Sequence, residues 1–200
     1  MEPTSPVDKN AHVILVSQIR ECFGRVVYSH KTHEKCADIL LHRQSYLKNT
    51  QIILSVLVSG SLMADLAKNA FIHPTIPAVL ATVLLGINLY FKNYNFGQIA
   101  QNHKETADKL WNIRESYISL IADLTGDSIS AVDAMNRRDK LQNQTSAIYA
   151  AAPRTNSTAY KKAQIALQFK EDMTFSVAEI DAFLPSPLKL STDNSKSKSM

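Results

Sequence analysis

Apolar and polar positions fall along this chain in three regimes. From about residue 11 to residue 48, Ile19, Cys22, Phe23, Val26, Ala37, Leu40 and Leu47 recur at three- and four-residue intervals, one face of a long helix. Arg20, Arg25, Lys31, Glu34 and Lys35 take the other face. Next come two uncharged, largely apolar stretches, Asn49 to Ala64 and Asn69 to Phe91, with Asp65 and Lys68 as the charged residues between them. Beyond them the helical interval returns in Phe96, Ile99, His103, Ala107, Leu110, Tyr117, Ile121 and Leu124, until Gly126 and Asp127 stop it. Further helices are predicted over about residues 128–150 and 158–173, parted by a polar stretch containing Pro153. Residues 1–10 read as a flexible N-terminus, and residues 185–200, with Pro185, Pro187 and a Ser- and Lys-rich end, as a disordered tail.

A bilayer core takes about 20 mostly apolar residues per helical span, and backbone groups in lipid must bond within their own helix. The uncharged stretches therefore predict a membrane hairpin, with spans at about residues 50–67 and 74–91. The fold class that follows is all-α. The hairpin continues into two long antiparallel cytoplasmic helices, about 11–48 and 92–124, packed as a coiled-coil-like stalk, and residues 11–184 form one domain. The first of these helices contains Gly24 and no proline, so it can run on into the first span.

On a helical projection Gln51, Ser55, Ser59 and Asp65 share an arc of about 120°, a candidate lumen face. Small residues at four-residue spacing, Gly60 and Ala64 in the first span and Ala78, Thr82 and Gly86 in the second, form a candidate packing seam between the two spans. Asp65 lies about 21 Å along the first span at 1.5 Å per residue, so both a gate role and simple placement near the outer boundary are open to it. Tyr90, Phe91, Tyr94 and Phe96 mark an aromatic belt where the second span leaves lipid.

Twenty-two Lys and Arg against eighteen Asp and Glu give a net charge of +4. Lys68 stands alone in the connection between the spans, whereas Lys31, Lys35, Arg43 and Lys48 precede the first and Lys92, Lys104 and Lys109 follow the second. That bias places both termini in the cytoplasm and explains the basic balance without a nucleic-acid partner. No secretory leader is visible in residues 1–9, and Cys22 and Cys36 read as buried, reduced thiols.

Candidate chemistry is sparse. The five glycines stand singly, so no phosphate-cradling or dinucleotide loop exists, and no nucleophile with its base is legible; the chain is read as a non-enzyme needing no cofactor and no metal. His30, His33 and His103 fall on the seams of the two cytoplasmic helices, His33 and His103 at comparable heights above the membrane. Together with Cys36 they offer a metal or pH site, against the plainer reading of core histidines. Trp111, Arg114 and Tyr117 at three-residue spacing make a candidate structural cluster.

The run His42-Arg43-Gln44-Ser45-Tyr46-Leu47, the run Leu110-Trp111-Asn112-Ile113-Arg114-Glu115-Ser116-Tyr117, and Ile148-Tyr149, Ala152-Pro153-Arg154-Thr155 and Ala159-Tyr160 together resemble the SLATT family, from about Arg25 to Phe183. These are bacterial two-transmembrane effectors associated with nucleotide-second-messenger defence systems. The resemblance implies an oligomeric, pore-forming or membrane-disrupting effector of abortive infection in the inner membrane. Its expected trigger is a partner nucleotidyltransferase, nucleotide sensor or reverse-transcriptase-type protein. A membrane anchor or adaptor that recruits a cytoplasmic partner through its stalk is the alternative, and a soluble bundle with a buried central hairpin is a third.

Overall fold

The computed structural model of the chain describes residues 6–66, 73 and 75–190, and every regular element among them is helical. Helix α1 spans Pro6–Leu66 without a break, 61 residues and about 90 Å at the helical rise. It starts ahead of the point the periodicity marks, with proline in the first turn, where a missing backbone donor costs nothing. Helix α2, Thr75–Asn93, is 19 residues long, about 28 Å, close to the thickness of a hydrocarbon core. Helix α3, Phe96–Thr125, follows after a two-residue break at Tyr94 and Asn95, where Asn95 caps it by accepting a hydrogen bond from the Gln98 amide at 3.1 Å.

Helix α1 packs along both α2 and α3, so one continuous rod faces a broken one. The stalk core between α1 and α3 is built from Leu15, Ile19, Cys22 and Val26 against Leu110, Ile113, Tyr117, Leu120 and Leu124. The periodicity assigns Ile19, Cys22, Val26, Leu110, Tyr117 and Leu124; Leu15, Ile113 and Leu120 join them, and Ile99 is exposed instead. Helix α4, Ala131–Ala151, closes this core with Ala134 and Leu141 and runs parallel to α1: Arg138 meets Gln18, Gln142 meets Cys22 and Tyr149 meets Ser29. Asp127, at φ 51°, makes the turn between α3 and α4, and Ser130 caps α4.

Helix α5, Ser157–Phe169, lies back along α1. Ala159, Ala163 and Ala166 are buried on its inner face, small residues that let the two backbones come close. It ends sooner than the pattern predicts because Glu171 and Met173 adopt positive φ. Lys31 on α1 ties that end down through Asp172 at 3.2 Å and pairs with Glu34 on its own helix at 2.9 Å. Burial pulls the Lys31 pKa down, but the two carboxylates outweigh it and leave it raised. A short helix α6, Val177–Phe183, and a 3₁₀ turn, Ser186–Leu188, extend past the predicted elements. The signal for α6 is the capping box of Ser176 and Glu179, whose two side chains satisfy each other's backbone amides.

Candidate functional site

The hairpin carries no cover from its own chain: α2 has no buried residue, and the apolar stretches of both spans lie outside any core. Ile52, Val56, Met63, Val79, Leu85 and Leu89 are all more than half exposed. Such side chains gain about 1.5–3 kcal/mol each on leaving water, so a surface of this kind calls for lipid. This removes the soluble bundle with a shielded hairpin.

Half-covered positions on both spans follow a three- and four-residue rhythm, Leu54, Val58 and Ser61 on α1 and Leu80, Leu84 and Ile87 on α2, and they mark the seam of the hairpin. This corrects the pairing expected from small residues. A side chain built at Gly60 or Gly86 would meet nothing within 4 Å, and Ala78 and Thr82 are exposed, so this stripe faces outward and α1 and α2 do not meet along it. Ala64 is half-covered. The physical reason is shape: leucine, valine and isoleucine at heptad-like spacing fill a two-helix groove better than glycine does.

Of the candidate lumen residues, Gln51 and Ser55 lie half-covered, and the Gln51 amide donates to Asn88 Oδ1 on α2 at 2.8 Å. Ser55 donates to the Gln51 carbonyl at 2.8 Å, and Thr82 to the Ala78 carbonyl at 2.9 Å, so these hydroxyls are satisfied inside their own helices. Ser59 is exposed. Asp65 belongs to the last turn of α1, but its side chain, like all of Lys68, lies outside the described residues.

Where the hairpin joins the stalk, Arg43 does what sequence reasoning missed. Its guanidinium donates to the Tyr90 hydroxyl at 2.9 Å and lies 5.3 Å from the centre of the Phe96 ring. Tyr90 and Tyr94, with ring centres 4.7 Å apart, complete the cluster over the break between α2 and α3. Gly97 lets the Gln44 side chain lie close, since a side chain on it would come within 3.3 Å of the Gln44 amide nitrogen. The expected aromatic belt thus also locks α1 to the break.

Further along the stalk the two histidines expected at equal height meet: His33 Nδ1 and His103 Nδ1 are 2.9 Å apart and buried. A contact this short between ring nitrogens requires one to donate and the other to accept, so the accepting ring is neutral and the two rings cannot both be charged. Burial, then the His103 and His30 rings beside it, push the His33 pKa down to about 4, and burial also lowers that of His103. His30 Nδ1 donates to the Ala107 carbonyl at 2.9 Å, and its ring lies 5.3 Å from Trp111. Cys36 takes no part. Its thiol faces the Asn156 amide at 3.9 Å, and burial pushes its pKa up. Among the described residues no group of three His, Cys, Asp or Glu is placed to hold a metal ion.

The structure brings together two members of the aromatic and arginine cluster and turns the third away. Arg114 stacks on Trp111 at 4.6 Å and pairs with Glu115. Tyr117 points instead into the core beside Cys22 and Thr145, where burial, with Cys22 beside it, pushes its pKa up to about 12.

No curated protein and no solved structure matches the chain. A family model does match, over residues 15–179, which takes in the stalk, the hairpin, α4 and α5. Two uncovered apolar helices agree with the two transmembrane segments its description names, and the chain belongs to the SMODS and SLOG-associating 2TM effector domain family, family 4.

Proposed function

We propose that several copies of this chain assemble in the bacterial inner membrane, with both termini in the cytoplasm, and open a pore or disrupt the bilayer when a partner acts on the stalk. The observation that carries this is the outward small-residue stripe, Gly60 on α1 with Ala78, Thr82 and Gly86 on α2. One hairpin cannot enclose water, whereas small residues facing lipid let neighbouring hairpins come close enough to form a wall. In the resting state Gln51 is spent on Asn88. Activation would exchange that bond for a polar lining in which Gln51, Ser55, Ser59 and Asp65 share a common axis. Because α1 is one helix from stalk to span, a change in stalk packing reaches this bond directly.

The partner fits the company the family keeps, a nucleotidyltransferase, nucleotide sensor or reverse-transcriptase-type protein of an anti-phage system, and the outcome would be abortive infection. The effector works by packing and field, with no reaction of its own. Expression in cells carrying a membrane-potential dye tests it: the activated protein should depolarise the inner membrane, and exchange of both spans for an unrelated hairpin should abolish this. If the exchanged protein protects as well as the parent, the spans merely anchor, and the adaptor reading takes over.

A further inference from the structure

The residues around Tyr149, Arg154 and Tyr160, singled out in the sequence and idle in the account above, converge on one place. A cleft of about 410 Å³ opens there between α1, the end of α4 and the turn into α5. Its size suits a small molecule. Three tyrosines form its rings, and two are tied by hydrogen bonds: the Tyr28 hydroxyl accepts from Gln168 at 2.7 Å, and the Tyr149 hydroxyl donates to Ser29, also in the lining, at 2.9 Å. The Tyr28 and Tyr160 rings are inclined at 28°, 6.0 Å between centres. Two of the three rings are therefore positioned by the chain's own hydrogen bonds.

Its charge is one-sided. No acidic residue lines the cleft, and between Asp139 and Glu171 the chain carries five basic residues and no acid. Of the seven arginines, Arg25, Arg43, Arg114, Arg137 and Arg138 each hold a partner within the chain, and Arg20 lies far from the cleft near the start of α1. Arg154, on the rim of the cleft, is exposed and has none among the described residues. A free guanidinium beside fixed aromatic faces suits a ligand with a flat ring at one end and a doubly charged anion at the other.

We propose that this cleft binds a small nucleotide, its base against the tyrosine rings and its phosphate on Arg154. The occupant would bridge α1, α4 and α5 at one height of the stalk and touch His33, which meets His103 on α3. Binding is separate from pore formation and can be measured on the resting protein, so either idea can fail alone.

The test is calorimetric titration of the full chain in detergent micelles with AMP, GMP, CMP and UMP, and with inorganic phosphate and the matching nucleosides. At least one mononucleotide should saturate below a millimolar and bind about tenfold tighter than phosphate alone. Arg154→Ala should weaken it about tenfold and Arg154→Lys less, with nucleoside binding unchanged, because an ammonium keeps the charge but loses the fork. Tyr160→Ala should cost about fivefold, with far-UV circular dichroism as the check on folding. Failure of all four mononucleotides to saturate the parent, phosphate binding as tightly as the nucleotide, or both alanine variants binding like the parent would overturn the assignment.

Discussion

Mild acid should loosen the stalk at the paired histidines. At neutral pH the His33 and His103 rings share one proton across 2.9 Å, buried between α1 and α3. The charged or titratable groups that act on His33 are the imidazoles of His103 and His30, both of which oppose a charge on it; the acid of this layer, Glu34, is taken up by His30 Nε2 at 3.7 Å and Lys31 at 2.9 Å. The native pKa of His33 is about 4 against 6.5 for the ordinary side chain, so the unfolded state binds more protons between those values. Stability therefore rises with pH through this window, is complete above about 6.5 and is lost as pH falls toward 4. Integrating the two titrations from pH 7 to pH 5 gives a loss of about 2 kcal/mol from His33, to which His103 adds in the same direction. Urea unfolding of the full chain in micelles reads it, followed by the fluorescence of Trp111, the single tryptophan, which lies against His30 in the same layer. His33→Asn keeps a hydrogen-bonding atom near the position of Nδ1 and does not titrate, so most of the difference between the two pH values should vanish in it. A parent whose midpoint is the same at pH 5 and pH 7, or a variant as acid-sensitive as the parent, would refute the reasoning.

Leu110→Ala, at a fully buried position of the stalk, should cost about 2–5 kcal/mol in the same urea assay, and a loss below 1 kcal/mol would mean that the α1–α3 core is packed otherwise. Asn88→Leu strips Gln51 of its partner and should raise leakage of dye through the membrane without any trigger. One interhelical bond of about 1 kcal/mol shifts a two-state balance roughly fivefold, which basal depolarisation rates can resolve. Gly86→Leu should insert normally and leave the single chain's fold unchanged, since the added side chain meets open space, yet prevent assembly as read by cross-linking in membranes.

The long elements were open to sequence reasoning because their burial is periodic. Ile19, Cys22 and Val26 on α1, and Leu110, Tyr117 and Leu124 on α3, are apolar where the helical interval requires and buried where it says. The height match of His33 and His103 followed from counting residues outward from the membrane on an antiparallel pair. Three features did not follow. The stripe of Gly60 and Gly86 was assigned to the hairpin's own seam because close approach is what glycine permits, but permission is not a driving force, and leucine and isoleucine took the seam. Asn88 as the partner of Gln51 depends on the register of two spans, which no local pattern fixes. The cleft needs α4 and α5 to fold back on α1, and its tyrosines look in sequence like ordinary surface aromatics. Helix α6 carries a local signal in its sequence, the Ser176 and Glu179 capping box.

Everything above depends on the hairpin crossing lipid twice. A cysteine in place of His73, exposed between the two spans, and another in place of Ser186 at the far end of the chain report the two sides, with the native cysteines buried as background. On intact spheroplasts a membrane-impermeant maleimide should label the first and leave the second until the membrane is permeabilised. Labelling of neither or both before permeabilisation, or release of the protein from membranes by carbonate, would contradict the account.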